Sequence, residues 1–261
     1  MPRYEFRSPR LFVPDPLTAG SRIALAQPQD HYLRHVLRLG PGDAVLAFNG
    51  RDGEWRAAIA ANGKRAAIEA REQTRPQTEA NDLHYLFAPL KHERLDYMVQ
   101  KAVEMGASLL QPVLTRHTQV KRVNRERMHA NAIEAAEQCG VLSVPEVAEP
   151  VSLGLALAAR EPERLLVFCD EDAEVRDPVA ALAAARPRPS ALVPLQGGAP
   201  GARPPMAVLI GPEGGFAEEE RAALLKLPNV VRLALGPRIL RADTAAVAAL
   251  SLVQAVLGDW R

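Results

Sequence analysis

From Leu83 onward, short apolar runs alternate with stretches of helical period, and that alternation leaves few folds open. Leu83–Ala88, Leu109–Leu114, Leu165–Cys169, Ala207–Ile210 and Val230–Leu235 read as buried strands. Glu93–Met105, Arg125–Gln138, Val179–Ala185, Glu218–Leu225 and Thr244–Leu257 read as helices. In the first helix, Leu95, Met98, Val99, Ala102 and Val103 fall on one face, and Gly106 ends it. The acidic start Glu218–Glu220 suits a helix N-terminus, where the backbone dipole favours negative charge. Strands and helices in strict alternation predict an α/β domain, a mostly parallel sheet with helices on its faces.

The chain before this region reads differently. Arg22–Leu25, Ala44–Phe48, Glu54–Ile59 and Ala66–Ala70 are short strand-like runs. They are separated by turn signals at Pro41-Gly42-Asp43, Asn49-Gly50, Asp52-Gly53 and Asn62-Gly63. Asn-Gly and Asp-Gly favour the turns that close hairpins, so a compact β-barrel is expected, interrupted by one helix near Gln29–Leu37. The polar stretch Glu72–Asp82, with Pro76, marks a boundary, giving domains over 1–75 and 76–261. Within the second domain, residues 186–205 are rich in Pro and Gly and read as an exposed loop without function.

Two late loops carry the chemistry: LIGPEGG at Leu209–Gly215 and LGPRILRADTA at Leu235–Ala245. Each leaves an apolar run and leads into a helix, so glycine lets backbone approach a ligand there. Neither loop has the G-x-G-x-x-G of a dinucleotide site, and GPEGG lacks the Lys-Ser/Thr of a phosphate loop. Arg238, Arg241 and Asp243 add charge beside them, which points to an enzyme with a small, non-nucleotide-triphosphate cofactor.

The formal net charge is only +1, so placement matters more than the sum. Basic residues gather at Arg3, Arg7 and Arg10, at Arg34, His35 and Arg38, and at Arg116, His117, Lys121, Arg122, Arg125 and Arg127. Such clusters are either solvated faces or an RNA surface. Cys139 and Cys169 have no partner at ligand spacing, so neither a disulfide framework nor zinc is expected, and the usage fits a reducing cytoplasm. No apolar run is long enough to span a bilayer, and Met1–Arg10 precede no apolar segment of a secretory signal.

Five stretches, in order, carry a resemblance: HVLRLGPGD at His35–Asp43, QKAVEMGA at Gln100–Ala107, EQCG at Glu137–Gly140, LIGPEGGF at Leu209–Phe216, and LGPRILRADTA. The chain resembles the RsmE family of ribosomal RNA (uracil-N3)-methyltransferases, in the SPOUT or trefoil-knot superfamily. The resemblance implies a small PUA-like barrel and an α/β domain whose last segment threads a knot. It implies S-adenosyl-L-methionine as cofactor, no metal, a homodimer, and a uridine of 16S ribosomal RNA in the assembled small subunit as substrate.

Carried over by position, it implies a cofactor pocket walled by Leu209, Gly211, Pro212 and Gly215 on one side and by Leu235, Gly236, Ile239 and Leu240 on the other. Phe168–Glu171 is expected at a third side. Arg241 is expected to stabilise charge on the uracil, and Asp243 to serve as base or as orienter of Arg241; the family has glutamate at the latter position. The competing reading of Asp243 is an N-cap of the last helix, and Thr244 is expected to cap it as well. Val141 stands where the family has arginine. RNA is expected along Arg10, Arg34 and Arg38 on the barrel and along Arg116, Lys121 and Arg122. Two alternatives stand beside this: a SPOUT enzyme with another RNA target, and a non-catalytic RNA-binding assembly factor.

Overall fold

The structure, a computed structural model, describes residues 8–63, 65–174, 177–185 and 204–260. Contacts divide them into two units. One comprises the residues up to Glu79 together with Ile133–Val144, the other Ala80–Ala132 together with Pro145 onward. Most of the Pro/Gly-rich stretch expected at 186–205 lies outside the described residues.

The first unit contains β1 (Arg10–Phe12), β2 (Arg22–Ala24), α1 (Gln27–His31) with a following π turn at Tyr32–Val36, β3 (Ala44–Phe48), β4 (Glu54–Asn62) and β5 (Arg65–Arg75). They form one sheet in the order β1-β3-β4-β5-β2, antiparallel except where β1 lies parallel to β3. The turn after β3 is built by Asn49, whose Oδ1 accepts from the Arg51 and Asp52 amides at 3.0 and 2.9 Å. An Asx turn of this kind lets a short polar side chain replace a strand partner. Leu11, Val13, Ile23, Leu33, Val45, Ile59 and Ile68 fill the space the sheet curls around. Two features escaped the sequence reading. β1 has no turn signal, because a parallel partner arrives from a distance rather than through a hairpin. β5 runs on to Arg75 through exposed polar residues that lack an apolar pattern.

Buried charge explains why Ile133–Val144 belongs to this unit. Glu54, whose side chain is 5% exposed, accepts from Arg10 Nε at 2.8 Å and from Arg75 Nη2 at 2.7 Å. Arg10 also donates to the carbonyls of Ala136 and Val141 at 2.5 and 2.8 Å, and Arg75 to that of Gly140 at 2.9 Å. These are carbonyls at the end of α3 (Arg125–Cys139) and just past it, groups with no partner inside the helix. Glu137 completes the joint by accepting from the Phe12 amide at 2.8 Å. Burial penalises the Glu54 charge, but hydrogen bonds from Arg75 and Arg10 prevail and hold its carboxyl below the ordinary value. A depressed carboxyl contributes stability that is present at neutral pH and lost as pH falls through the folded value. Glu54→Gln is therefore expected to cost about 3 kcal/mol at pH 7 and to flatten the loss of stability below about pH 4.5. Urea denaturation at pH 7 and pH 4 measures both, and an unchanged acid dependence would show that other carboxylates dominate it.

The second unit is the α/β part. It contains β6 (Leu83–Phe87), α2 (His92–Glu104), β7 (Leu109–Leu114), the start of α3, β8 (Glu146–Val147), β9 (Val151–Ser152), α4 (Leu153–Ala158), β10 (Leu165–Cys169), α5 (Pro178–Ala184), β11 (Met206–Ile210), α6 (Glu218–Leu225), β12 (Val230–Leu233) and α7 (Ala242–Val256). The strands lie in the order β12-β10-β11-β6-β7-β8, with β9 also on β7, and every pair is parallel. β10 and β11 are apolar throughout because helices cover both faces of the sheet. α4 and α6 supply Leu153 and Leu224 to the cluster of Leu86, Leu166, Phe168 and Leu209. α7 packs against α2, and its buried Gln254 donates to the Met105 carbonyl at 2.5 Å. Periodicity missed β8, β9 and α4, which are too short to show a period. Among the described residues, no helix is long and apolar enough to cross a membrane.

Candidate functional site

Parallel strands all end at the same edge of a sheet, so the loops after β10, β11 and β12 must converge there. They enclose a cleft of about 350 Å³ lined by Cys169–Glu171, Ile210–Phe216, Leu233–Leu240, Ala242 and Ala245. Five parallel pairs from Leu165↔Met206 to Cys169↔Ile210 set β10 and β11 in register, which brings the ends of these two strands side by side.

Local chemistry shapes each wall. In the β11 loop, the Gly215 amide donates to the Pro212 carbonyl at 2.9 Å, and Gly215 has φ +70°, a left-handed value that side chains rarely adopt. Gly211 is glycine for space: a Cβ there would lie 2.8 Å from the Phe216 ring. Phe216 in turn packs edge-on against Phe168, with centroids 5.4 Å apart, which fastens the loop to β10. In the β12 loop, Gly236 has φ +105° and open space where a Cβ would stand, so that wall offers bare backbone to the cleft.

The floor is ionic. Asp170, whose side chain is fully buried, accepts through Oδ2 from Arg221 Nε at 3.0 Å and from Arg232 Nε at 2.8 Å. Arg221 reaches on to Asp172 at 2.9 Å and Glu171 at 3.7 Å. Asp170, Glu171 and Asp172 bunch closely enough to suggest a cation site, but Arg221 already lies against all three and Arg232 against Asp170. Burial pushes the Cys169 thiol up to about 12, which keeps it protonated and unreactive.

Two further side chains hold the β11 loop, and neither was singled out from the sequence for this purpose. Arg94, on α2, pairs with Glu213 and lies 3.9 Å from Asp243, so it spans the β11 loop and the start of α7. His117, in the segment after β7, places Nδ1 3.2 Å from the carbonyl oxygens of both Gly214 and Gly215. No local pattern announces either contact, because each partner lies about a hundred residues away in the chain.

The structure brings Gly211, Pro212, Gly215, Leu235, Gly236, Ile239 and Leu240 together on the cleft. Leu209 is corrected. It is fully buried in the sheet core, and the cleft is lined by the next residue, Ile210, which ends β11 where the loops converge. Phe168 likewise sits in the core one residue before the end of β10, leaving Cys169–Glu171 at the third side. Arg241 is exposed at the N-cap of α7, between two lining residues, with extended backbone at φ −65° and ψ 151°. Asp243 is not the cap. It lies in the first turn and accepts from the Thr244 amide at 2.8 Å, so the capping expected of Asp243 and Thr244 does not occur.

Arg10 is also corrected: its guanidinium is spent on Glu54 and the α3 carbonyls, leaving nothing presented to a phosphate. Arg34 and Arg38 are exposed, Arg34 lying 3.6 Å from Asp30. Arg116, Lys121 and Arg122 are exposed in the second unit. Tertiary structure sets acids against one of them. The Arg116 amide donates to Glu220 at 2.9 Å, and its guanidinium lies 3.9 Å from Glu219.

Comparison with known proteins agrees with this architecture. A family model described as an RNA methyltransferase domain matches residues 77–254, and one described as an RNA methyltransferase PUA domain matches residues 28–70. The ribosomal RNA small subunit methyltransferase E of Synechocystis is 31% identical, covering 95% of this chain and 78% of its own. The protein of that name from Rickettsia conorii is 28% identical, with 94% of each chain covered. A solved structure from Legionella pneumophila, in complex with the bound cofactor SAM, is 27% identical with a TM-score of 0.76 over 95% of this chain and 98% of that one. The domain match and the full-length likeness together show that the chain belongs to the RNA methyltransferase family of ribosomal RNA small subunit methyltransferase E.

Proposed function

We propose that the chain transfers a methyl group from S-adenosyl-L-methionine to N3 of a uridine in 16S ribosomal RNA, as a step in small-subunit maturation. The observation that carries this reading is the cleft at the ends of β10, β11 and β12, walled by glycine backbone and apolar side chains and lacking any phosphate-binding motif. The cofactor bound by the Legionella relative has the matching chemistry, an adenosine with a cationic sulfonium and no phosphate. When bound, it supplies a methyl group open to attack by a nitrogen lone pair. Ile210, Leu235, Ile239 and Leu240 offer apolar surface for adenine, and Gly211, Gly215 and Gly236 let backbone come close.

On this reading, Arg241 stabilises the negative charge that spreads over the uracil oxygens as N3 loses its proton. Asp243, whose carboxylate faces Arg94 and accepts from the Thr244 amide, would hold the start of α7 in place beside Arg241 rather than take the N3 proton. The trefoil knot, the homodimer, the assembled small subunit as substrate and a cytoplasmic location all belong to this reading. Arg34, Arg38, Lys121 and Arg122 would meet RNA phosphates, which position a strand without reading its sequence.

Arg241→Ala is expected to slow methyl transfer at least about 100-fold, the usual scale for one lost oxyanion donor, while cofactor affinity stays near the wild-type value. Methyl incorporation into small ribosomal subunits and calorimetric titration give the two numbers, and full activity would remove Arg241 from the chemistry. Nucleoside mass spectrometry of 16S ribosomal RNA from a deletion strain tests the function itself. Loss of 3-methyluridine is expected, and its persistence would overturn the assignment.

A further inference from the structure

Arg241 stands at the N-cap of α7, where Ser, Thr, Asp or Asn usually supplies an oxygen to the free amides of the first turn. An arginine has no acceptor to supply, and its side chain makes no cap hydrogen bond here. The head of α7 is therefore not locked by its own cap. The Arg241 guanidinium starts from wherever the backbone of that turn is placed.

A contact from another element places that turn. Asp243, two residues on, sets its carboxylate in the first turn, where the helix dipole favours negative charge. Arg94 Nε lies 3.9 Å from Asp243 Oδ2, an ion-pair rather than a hydrogen-bond distance. Through Nη1 the same guanidinium pairs with Glu213, in the β11 loop that lines the cofactor cleft. Among the described residues neither carboxylate pairs with another cation. Arg94 rises from a fixed base: Leu95, Met98, Val99, Ala102 and Val103 of α2 are buried, and α2 packs on α7. A planar guanidinium with donors on separate edges meets two carboxylates at a fixed angle, which an ammonium on a flexible stem does not.

Resting on the methyl-transfer reading above, we propose that Arg94 is a positioning residue for that reaction. It ties the loop that walls the cofactor to the helix start that carries Arg241, and so sets that guanidinium against the base the methyl group approaches. Arg94 touches no reacting atom in this role and acts through Arg241. Misplacing a reacting group by about 1 Å costs up to about 100-fold in rate. The tie itself, half-exposed at its Glu213 end, adds little to stability.

The test uses the full chain and measures methyl transfer at saturating S-adenosylmethionine and saturating small subunits from a strain lacking this enzyme. Calorimetric cofactor affinity and the thermal midpoint are measured beside it. Arg94→Ala is expected to lower kcat about 10- to 30-fold and to move the midpoint by no more than about 3 °C. Cofactor affinity should stay within about threefold. His117 still faces the Gly214 and Gly215 carbonyls, and the Gly215 amide still closes the loop on Pro212. Arg94→Lys restores a charge without the fork and should recover part of kcat.

The double variant decides the matter. In the Arg241→Ala background, Arg94→Ala should slow transfer no further, since no guanidinium remains to be positioned. Losses that multiply in the double variant would overturn the proposal, as would wild-type kcat in Arg94→Ala. A fall in cofactor affinity beyond about tenfold would also overturn it, by placing Arg94 in the cofactor wall alone. Failure of the parent reading looks different: the wild-type protein would methylate no subunits, or Arg241→Ala would keep full activity, and this proposal would fall with it. An active wild type and a slow Arg241→Ala leave the result with Arg94.

Discussion

Asp170→Ala is expected to lower the unfolding free energy by about 3–5 kcal/mol and to abolish cofactor binding with it. The carboxylate is fully buried, and one oxygen serves Arg221 at 3.0 Å and Arg232 at 2.8 Å. Removing it leaves two guanidinium groups facing each other with no shared anion. Arg221 retains Asp172, but among the described residues Arg232 pairs with no carboxylate other than Asp170. Because Asp170 leads directly out of β10 and its amide donates to the Leu233 carbonyl at 2.9 Å, the strand ends that frame the cleft would separate. Asp170→Asn keeps shape and loses charge, so it should fall between wild type and Asp170→Ala. Urea denaturation followed by circular dichroism gives the stability change. A loss under about 1 kcal/mol would mean that the ion pairs behave as exposed ones.

Gly215→Val is expected to weaken S-adenosylmethionine binding about 100-fold, equivalent to about 3 kcal/mol, with little change in global stability. Gly215 sits at φ +70°, and a β-branched residue there costs more than the roughly 1–2 kcal/mol of an ordinary left-handed residue. A Cβ would also meet the Glu171 carboxylate at the third side of the same cleft, the end of a half-exposed side chain that must swing aside. Strain and collision act on one loop, so they displace the cofactor wall rather than the sheet. Gly236→Ala makes the control: φ +105° is equally foreign to a side chain, but nothing stands within 4 Å of the new methyl. Calorimetry should rank Gly215→Val below Gly236→Ala, and equal affinities would show that backbone strain alone governs both.

The elements most legible in the sequence were those whose own residues decide them. Leu109–Leu114, Leu165–Cys169 and Glu218–Leu225 form over the bounds read from the apolar runs and the acidic helix start. β1, β8, β9 and α4 were invisible, since two- and three-residue strands and a six-residue helix owe their existence to the neighbour that receives them. The corrections share a cause. Leu209 and Phe168 were carried over from the resemblance, but each sits in the sheet core one residue before its strand ends, and the last residues, Ile210 and Cys169, reach the cleft. Arg10 belonged to a basic cluster in sequence, yet a buried glutamate and the carbonyls at a helix end claim it.

The sequence by itself determined the alternation of strands and helices, the hairpin-rich front, the two glycine-bearing loops and the family they resemble. All of these rest on local pattern, on periods of two or about 3.6 and on backbone freedom at particular glycines. Only tertiary structure decided that Arg94 ties Glu213 to Asp243, that His117 holds the Gly214 and Gly215 carbonyls, and that Ile133–Val144 packs with the first unit. Ion pairs and hydrogen bonds act over about 3 Å of space and carry no signature along the chain, so they exist only once packing has brought distant segments together.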